Sequence, residues 1–175
     1  MSTAMTASPS AHSSMLEKVL EHLLVGEILR YLWLRGHRDI EVLRGEVDNA
    51  GYDIALEVGG ILRHVQLKAC FRGATTNEVG INIALARKPS GCVIWLHYDP
   101  QSLALTPYLW FGGAPGEPLP SLGERVGRHS KANSEGVKAP RANVRLLSRK
   151  RFESLATIDE LVARLFGAIN LPSLP

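Results

Sequence analysis

The stretch GYDIALEVGGILRHVQLKA, residues 51–69, decides the fold because it predicts a β-hairpin with polar side chains at unusual places. Two apolar runs flank a glycine pair at 59–60, which is typical of a two-residue hairpin turn. With that turn, Asp53 lies directly opposite Gln66, and directly opposed residues share one face of the hairpin. Lys68 lies two residues beyond Gln66 and therefore points to the same face. The sequence thus predicts an acid, an amide and an ammonium group side by side.

Two interpretations of this polar group are open at this point. Charged side chains are rare in half-buried strands unless they are paired or have a function. Asp53 and Lys68 could form a cross-strand ion pair with Gln66 as a polar edge residue. Alternatively, the three side chains form a site. Under the first interpretation, replacing Lys68 would lower stability without affecting any activity.

The first helix contains a further misplaced charge. Residues 15–35 predict one long helix that ends at Gly36. At about 100° per residue, Glu27 falls in the middle of the predicted apolar stripe. That stripe consists of Leu16, Leu20, Leu23, Leu24, Tyr31 and Leu34. The opposite, solvated face is predicted to carry Glu17, Lys18, Glu21 and His22. A carboxylate facing the core is costly unless it meets a cation, so Glu27 needs a partner.

The remaining pattern predicts a single α/β or α+β domain over residues 15–175, after a disordered tail at 1–14. Strands are predicted at 38–44, 52–58, 61–69, 92–98 and 105–111, and Pro107 favours a sheet edge for the last of them. Residues 75–91 fit either a short helix or a strand, and the glycine- and proline-rich residues 112–123 fit a loop. Residues 157–167 predict a helix capped by Thr157 and ended by Gly167.

Composition narrows the class of protein. The chain has 175 residues, of which 45% are hydrophobic and 21% are charged, as in an ordinary soluble domain. Two cysteines are too few for a disulfide framework, which favours a reducing, cytoplasmic compartment. The first residues have neither the basic nor the apolar part of a signal peptide, and no apolar run is long enough to span a bilayer.

Positive charge is concentrated in residues 124–151. This basic segment has nine lysines and arginines against two glutamates, a net charge of +7, whereas the whole chain carries +3. Such an asymmetry is typical of a face that binds a polyanion, although a solvated surface loop would have the same charge. The candidate nucleic-acid-binding residues are Arg128, His129, Lys131, Lys138, Arg141 and Arg145.

These residues together resemble the PD-(D/E)xK, or restriction-endonuclease-like, superfamily of nucleases. The resemblance depends on Glu27 in VGEILRYLWLRG, Asp53 in GYDIAL, and Gln66 and Lys68 in VQLKA. It covers roughly residues 15–98 and is similar to small Holliday-junction-resolvase-like nucleases. The fold that it implies is α/β, with an αβββαβ core whose central mixed sheet is flanked by helices. The C-terminal third matches no known pattern.

The resemblance implies a metal-dependent endonuclease that hydrolyses phosphodiester bonds in DNA with Mg²⁺ or Mn²⁺. Asp53 and Glu27 are the implied metal ligands, together with the backbone carbonyl of Leu67. Lys68 is the implied catalytic cation, which orients the nucleophilic water and offsets charge on the phosphate. Many members of the superfamily act as homodimers, so a homodimer is implied as well.

Gln66 departs from the family pattern, because an aspartate or glutamate usually occupies its position. An amide oxygen can bind Mg²⁺ but brings no negative charge, so Gln66 is expected to be a weak third ligand. The alternative is a catalytically inactive protein of the same fold that serves as a nucleic-acid-binding or interaction module. Glu46 or Asp48 could supply a spare ligand, although Asp48 fits a turn residue better.

Overall fold

The computed structural model describes residues 13–45, 50–129 and 139–167. Most of the predicted tail, residues 1–12, therefore lies outside the described residues, and residues 13–14 begin the first helix. The helices are α1 (Ser13–Leu34) and α2 (Ile158–Phe166). The strands are β1 (Ile40–Leu43), β2 (Ile54–Val58), β3 (Ile61–Phe71), β4 (Glu78–Asn82), β5 (Gly91–Tyr98), β6 (Tyr108–Gly112), β7 (Val126–Arg128), β8 (Pro140–Ser148) and β9 (Glu153–Leu155). Short 3₁₀ helices occupy Ile83–Arg87 and Arg149–Arg151.

A six-stranded mixed sheet forms the centre, with strand order β1-β2-β3-β5-β6-β9. Its neighbouring strands are antiparallel except for β3 and β5, which are parallel. The β2–β3 hairpin has the predicted register, because Val58 pairs with Ile61 across the two glycines. This mixed sheet with its helices confirms the predicted α/β class.

The connection between the parallel strands explains the ambiguous prediction for residues 75–91. A parallel pair requires a crossover, and here the crossover contains both a strand, β4, and the 3₁₀ helix at Ile83–Arg87. Asn82 ends β4 and caps that helix by accepting a hydrogen bond from the backbone N–H of Ala84. The order is therefore α1, four strands, a 3₁₀ helix and β5, whereas the resemblance implies three strands and an α-helix before that strand.

The two faces of the central sheet are covered differently. Both α-helices pack on one face, where Leu24, Ile28 and Leu165 belong to the same buried cluster as Ile94 and other strand residues. A second sheet, of order β4-β8-β7, covers the opposite face with the 3₁₀ helix of the crossover. The helices thus share one face instead of flanking the sheet on both sides. Among the described helices, none is long and apolar enough to cross a membrane.

Two local predictions were wrong. The strand after Pro107 is not at an edge, because β6 lies between β5 and β9. Pro107 precedes the first residue of β6, Tyr108, so its missing N–H costs no ladder hydrogen bond. The basic segment, expected as a loop, contains strands β7 and β8. Its strand pairing depends on β4, which is distant in sequence, and on burial of Leu147 in the second core.

Candidate active site

Asp53 is held against the backbone of β3. It directly precedes β2, and its backbone N–H donates to the carbonyl of Val65 at 2.9 Å. Its carboxylate oxygen Oδ2 accepts a hydrogen bond from the backbone N–H of Leu67 at 2.5 Å. Leu67 lies between Gln66 and Lys68, so the acid of the predicted motif is fixed beside the other two members.

Gln66 and Lys68 share one face of β3, as strand alternation requires. Gln66 is buried, with 8% of its surface exposed, and its Oε1 accepts a hydrogen bond from the backbone N–H of Asn82 at 3.1 Å. This bond connects β3 to the start of the 3₁₀ helix in the crossover. Lys68 is half-buried at the border of a cleft. Gln66 is therefore held in place by its hydrogen bond, whereas Lys68 is partly accessible to solvent at the cleft.

A cleft of about 550 Å³ opens between the N-terminal half of α1, the residues just before β2 and the second half of β3. Among the predicted site residues it contains Asp53, Leu67 and Lys68, whereas Gln66 lies beside it and does not line it. From α1 it contains Glu17, Lys18, Leu20 and Glu21, and Tyr52 also lines it. The cleft thus joins the hairpin motif to the second turn and the start of the third turn of α1, N-terminal to Glu27.

Glu27 does not line this cleft. It is half-buried, and its carboxylate accepts a hydrogen bond from the hydroxyl of Tyr108, a buried residue of β6. Burial and this carboxylate together raise the pKa of Tyr108, which keeps the phenol protonated as the donor. Glu27 thus has a partner, as predicted for a carboxylate on the buried side of α1, but the partner is a phenol and not a cation. The predicted stripe was wrong at Leu23 and Leu34, which are exposed.

Glu21 is the buried acid of α1, contrary to its predicted solvated position. Only 4% of its surface is exposed, and it forms ion pairs with Lys18 at 2.8 Å and with Arg44 at 2.9 Å. Burial alone would raise the pKa of Glu21, but the hydrogen bonds and charges of the two cations outweigh it and lower the net pKa. The carboxylate is therefore ionised at neutral pH, beside the cleft that contains Asp53.

The sequence contains only a weak signal for Glu21. Apolar residues occur on all sides of α1, so periodicity does not select the buried face. The Lys18–Glu21 spacing of three residues predicts a helical ion pair but says nothing of burial. Tertiary contacts with Arg44, beyond the end of β1, complete the arrangement.

The donor atoms near the cleft suit a hard divalent cation. Carboxylate, amide and carbonyl oxygens are the ligands that Mg²⁺ and Mn²⁺ prefer, and Asp53, Gln66 and the Leu67 carbonyl are of this kind. Within the described residues, no group of three His, Cys, Asp or Glu side chains is close enough to hold a metal ion. Any ion at this motif would therefore need the amide or backbone oxygens as well as Asp53. Glu46 and Asp48 lie outside the described residues.

The candidate nucleic-acid-binding residues differ in exposure. Arg128, His129 and Arg141 are exposed at the end of the second sheet. Arg145 is half-buried, and its guanidinium donates to the carbonyl of Ala142 at 2.8 Å. This contact lies within β8 and stabilises that strand. The remaining two candidates, Lys131 and Lys138, lie outside the described residues.

Comparison with known proteins does not assign the chain to a family. No protein-family model matches it, and no curated protein sequence matches it. Among solved structures, it is similar to a bacterial homing endonuclease, I-Ssp6803I, with 19% sequence identity and a TM-score of 0.32. That alignment covers 69% of this chain and 82% of the other. A TM-score this low does not establish a shared fold.

Proposed function

We propose that this protein is a divalent-metal-dependent DNA endonuclease with a PD-(D/E)xK-type site. The observation that supports it is the hydrogen bond from the Leu67 N–H to Asp53, which fixes the acid between Gln66 and Lys68 at an open cleft.

Each residue of the motif has a distinct role in this proposal. Asp53 and the Leu67 carbonyl hold the metal ion, and Gln66 contributes a neutral oxygen. Bound Mg²⁺ or Mn²⁺ would polarise the scissile phosphate and lower the pKa of a bound water. Lys68 directs its ammonium at the phosphate, where it offsets negative charge that develops during hydrolysis. The half-buried stem of Lys68 keeps the ammonium near the cleft.

Glu21 replaces Glu27 as the helix acid in this proposal. It lies in the same cleft as Asp53 and is kept ionised by Lys18 and Arg44. An ionised carboxylate there can accept hydrogen bonds from metal-bound water. Because Lys18 also lines the cleft, its ion pair with Glu21 further prevents it from binding the phosphate in an unproductive position.

Cleavage assays test the proposal directly. Purified protein is incubated with Mg²⁺ or Mn²⁺ and plasmid, linear, single-stranded or branched DNA. Asp53→Asn keeps an oxygen acceptor for the Leu67 N–H but removes the charge, and Lys68→Met keeps the apolar stem but removes the ammonium. Exposed Asp39 and Lys150 offer matched controls as Asp39→Asn and Lys150→Met. We expect metal-dependent cleavage that both site variants abolish and both controls retain.

A second candidate function is a nucleic-acid-binding module without catalysis. The hydrogen bond of the Gln66 amide to the Asn82 N–H favours it, because that bond gives Gln66 a structural role independent of any metal. Binding of DNA with no cleavage of any substrate would support this candidate against the endonuclease. Cleavage that survives both Asp53→Asn and Lys68→Met would contradict the proposed site. A homodimer is part of the proposal, and sedimentation velocity at assay concentrations tests it.

A further inference from the structure

In part of the basic segment, β7 and β8 form a two-stranded ribbon that extends beyond β4, the third strand of their sheet. Strand β4 pairs with residues 144–148 of β8, whereas β7 reaches further along β8. Gly127 pairs with Arg141, and Arg128 pairs with Pro140. The N–H of His129 then donates to the carbonyl of Ala139 at 3.0 Å, which continues the ladder. We call residues 127–129 and 139–143 the basic ribbon.

The basic ribbon makes little contribution to the core. Apart from Gly127, all of its residues are exposed, and none belongs to either buried cluster. Two-stranded hairpins without a packed face are marginally stable in water. Stability of the fold therefore does not explain the ribbon, and its amino-acid composition indicates a binding role instead.

The charge of the basic ribbon is entirely positive. It carries Arg128, His129 and Arg141, and residues 125–129 and 139–152 contain no aspartate or glutamate. Because Arg128 and Arg141 belong to successive ladder pairs, strand alternation directs them to opposite faces. Exposed Asn143 adds an amide with both a donor and an acceptor. The ribbon can thus contact a polyanion and also form directional hydrogen bonds.

A β-bulge separates the basic ribbon from the rest of the second sheet. The pairing moves from Val126–Arg145 to Gly127–Arg141 in one step, so residues 142–144 of β8 have no partner on β7. Bulges bend a strand and increase its twist. Arg145 stabilises the bulge by donating to the carbonyls of Ala142 and Val144. Gly127 permits it, because a Cβ there would lie 2.9 Å from the Val144 side chain.

We propose that the basic ribbon docks into the major groove of double-stranded DNA. The major groove is about 12 Å wide and admits a two-stranded β-ribbon, whose strands lie about 5 Å apart. Arginine recognises guanine O6 and N7 there, and asparagine recognises adenine. The major groove of an RNA duplex is too narrow for such a ribbon. The choice of DNA as partner rests on the proposed function. The inference adds that the protein prefers a DNA duplex to single-stranded DNA and to an RNA duplex.

Binding measurements on the full chain in EDTA, which prevents metal-dependent cleavage, test this inference. The probes share one arbitrarily chosen sequence. They are a short DNA duplex, one of its single strands, and the corresponding RNA duplex. We expect the DNA duplex to bind at least about tenfold more tightly than the other two. Methylation of guanine N7 with dimethyl sulfate, which modifies the major groove, should interfere with binding. Equal binding of the three probes, no binding of the DNA duplex, or no interference would overturn the inference.

A double variant tests whether the arginines of the basic ribbon, rather than positive charge in general, bind the duplex. Arg128→Ala with Arg141→Ala should weaken duplex binding about tenfold or more and remove the N7 interference. The control, Arg30→Ala with Arg87→Ala, removes the same charge from exposed positions outside the basic ribbon and should bind nearly as the wild type does. Circular dichroism and thermal unfolding establish that both variants fold. Equal binding by the two double variants would exclude the ribbon as the docking element.

Cleavage assays distinguish this inference from the proposed function. If the ribbon variant binds and cleaves DNA as the wild type does, and Asp53→Asn abolishes cleavage, the endonuclease stands and the ribbon inference fails. If duplex binding depends on the ribbon but no DNA is cleaved with any metal, the ribbon inference stands and the endonuclease fails.

Discussion

Asp53 Oδ2 lies 2.5 Å from the backbone nitrogen of Leu67, and this hydrogen bond ties the start of β2 to the middle of β3. The bond serves two purposes at once. It satisfies a backbone donor at the border of the cleft, and it holds a carboxylate beside Gln66 and Lys68. Charge and hydrogen bonding at Asp53 can be separated, because asparagine keeps an acceptor without the charge.

Stability measurements on Asp53 should separate these effects. Asp53→Ala removes the acceptor, so we expect it to lower the free energy of unfolding by about 1–3 kcal/mol. Asp53→Asn should lower it by about 1 kcal/mol or less, although both variants lose cleavage. Urea unfolding at neutral pH measures the difference, with Asp39→Asn as the control. An equal loss of stability in both Asp53 variants would show that the charge, rather than the hydrogen bond, stabilises the fold.

Gln66→Glu should make the stability depend on divalent metal. Glutamate can still accept the hydrogen bond of the Asn82 N–H, but its charge would be buried at a position that is 8% exposed in the wild type. Without metal, we expect a lower melting temperature, by about 2–4 °C for each kcal/mol of desolvation cost. Mg²⁺ or Mn²⁺ should restore it, because the carboxylate becomes a charged ligand.

Thermal unfolding with and without Mn²⁺ measures this effect. The matched control is Gln101→Glu, at an exposed turn, which should show no dependence on the metal. A Gln66→Glu protein that melts at the same temperature with and without metal would contradict metal binding at the hairpin.

Glu21 and Glu27 should differ in their effect on cleavage. Glu21 lines the cleft with Asp53, whereas Glu27 accepts a hydrogen bond from Tyr108 outside that cleft. Glu21→Gln should therefore lower the cleavage rate by about tenfold or more, as expected for a group near the reacting atoms. Glu27→Gln keeps an acceptor for Tyr108 and should cleave within about twofold of the wild type. Single-turnover rates on one substrate measure both, and the reverse order would restore Glu27 as the helix acid.

Elements whose geometry depends on a few adjacent residues were predicted correctly from the sequence. The two-glycine turn determined the register of β2 and β3, and the structure has that register. Thr157 caps α2 by accepting from the N–H of Glu160, and Gly167 follows its last residue with a positive φ of 69°. In both cases a few adjacent residues define the geometry, so one sequence suffices to recognise it.

Features that depend on distant partners escaped prediction. The buried face of α1 is set by its contacts with the sheet, because apolar residues surround the helix on all sides. Glu21 was consequently assigned to the solvated face, although it is buried. Strand β8 pairs with β4, more than sixty positions earlier in the chain, and its glycine- and serine-rich surroundings predict a loop. Local propensity is a weak guide where such long-range pairing decides the structure.

The ion pairs of Glu21 should make stability depend on pH. The net pKa of Glu21 lies below its usual value of 4.5 because Lys18 and Arg44 outweigh the effect of burial. A folded-state pKa below the unfolded value means that the ion pairs contribute fully above pH 4.5 and are lost as the pH falls through the folded pKa. We therefore expect Glu21→Gln to be less stable than the wild type at neutral pH, by about 1–3 kcal/mol.

Urea unfolding from neutral pH to about pH 3 checks this expectation. The stability difference between the wild type and Glu21→Gln should shrink over the acidic part of that range, because protonation removes the same charge that the substitution removes. Glu124→Gln, at an exposed position before β7, is the control and should follow the wild type throughout. A difference that stays constant down to the lowest pH would mean that Glu21 stabilises the fold through packing, and that its ionised state contributes nothing at the cleft.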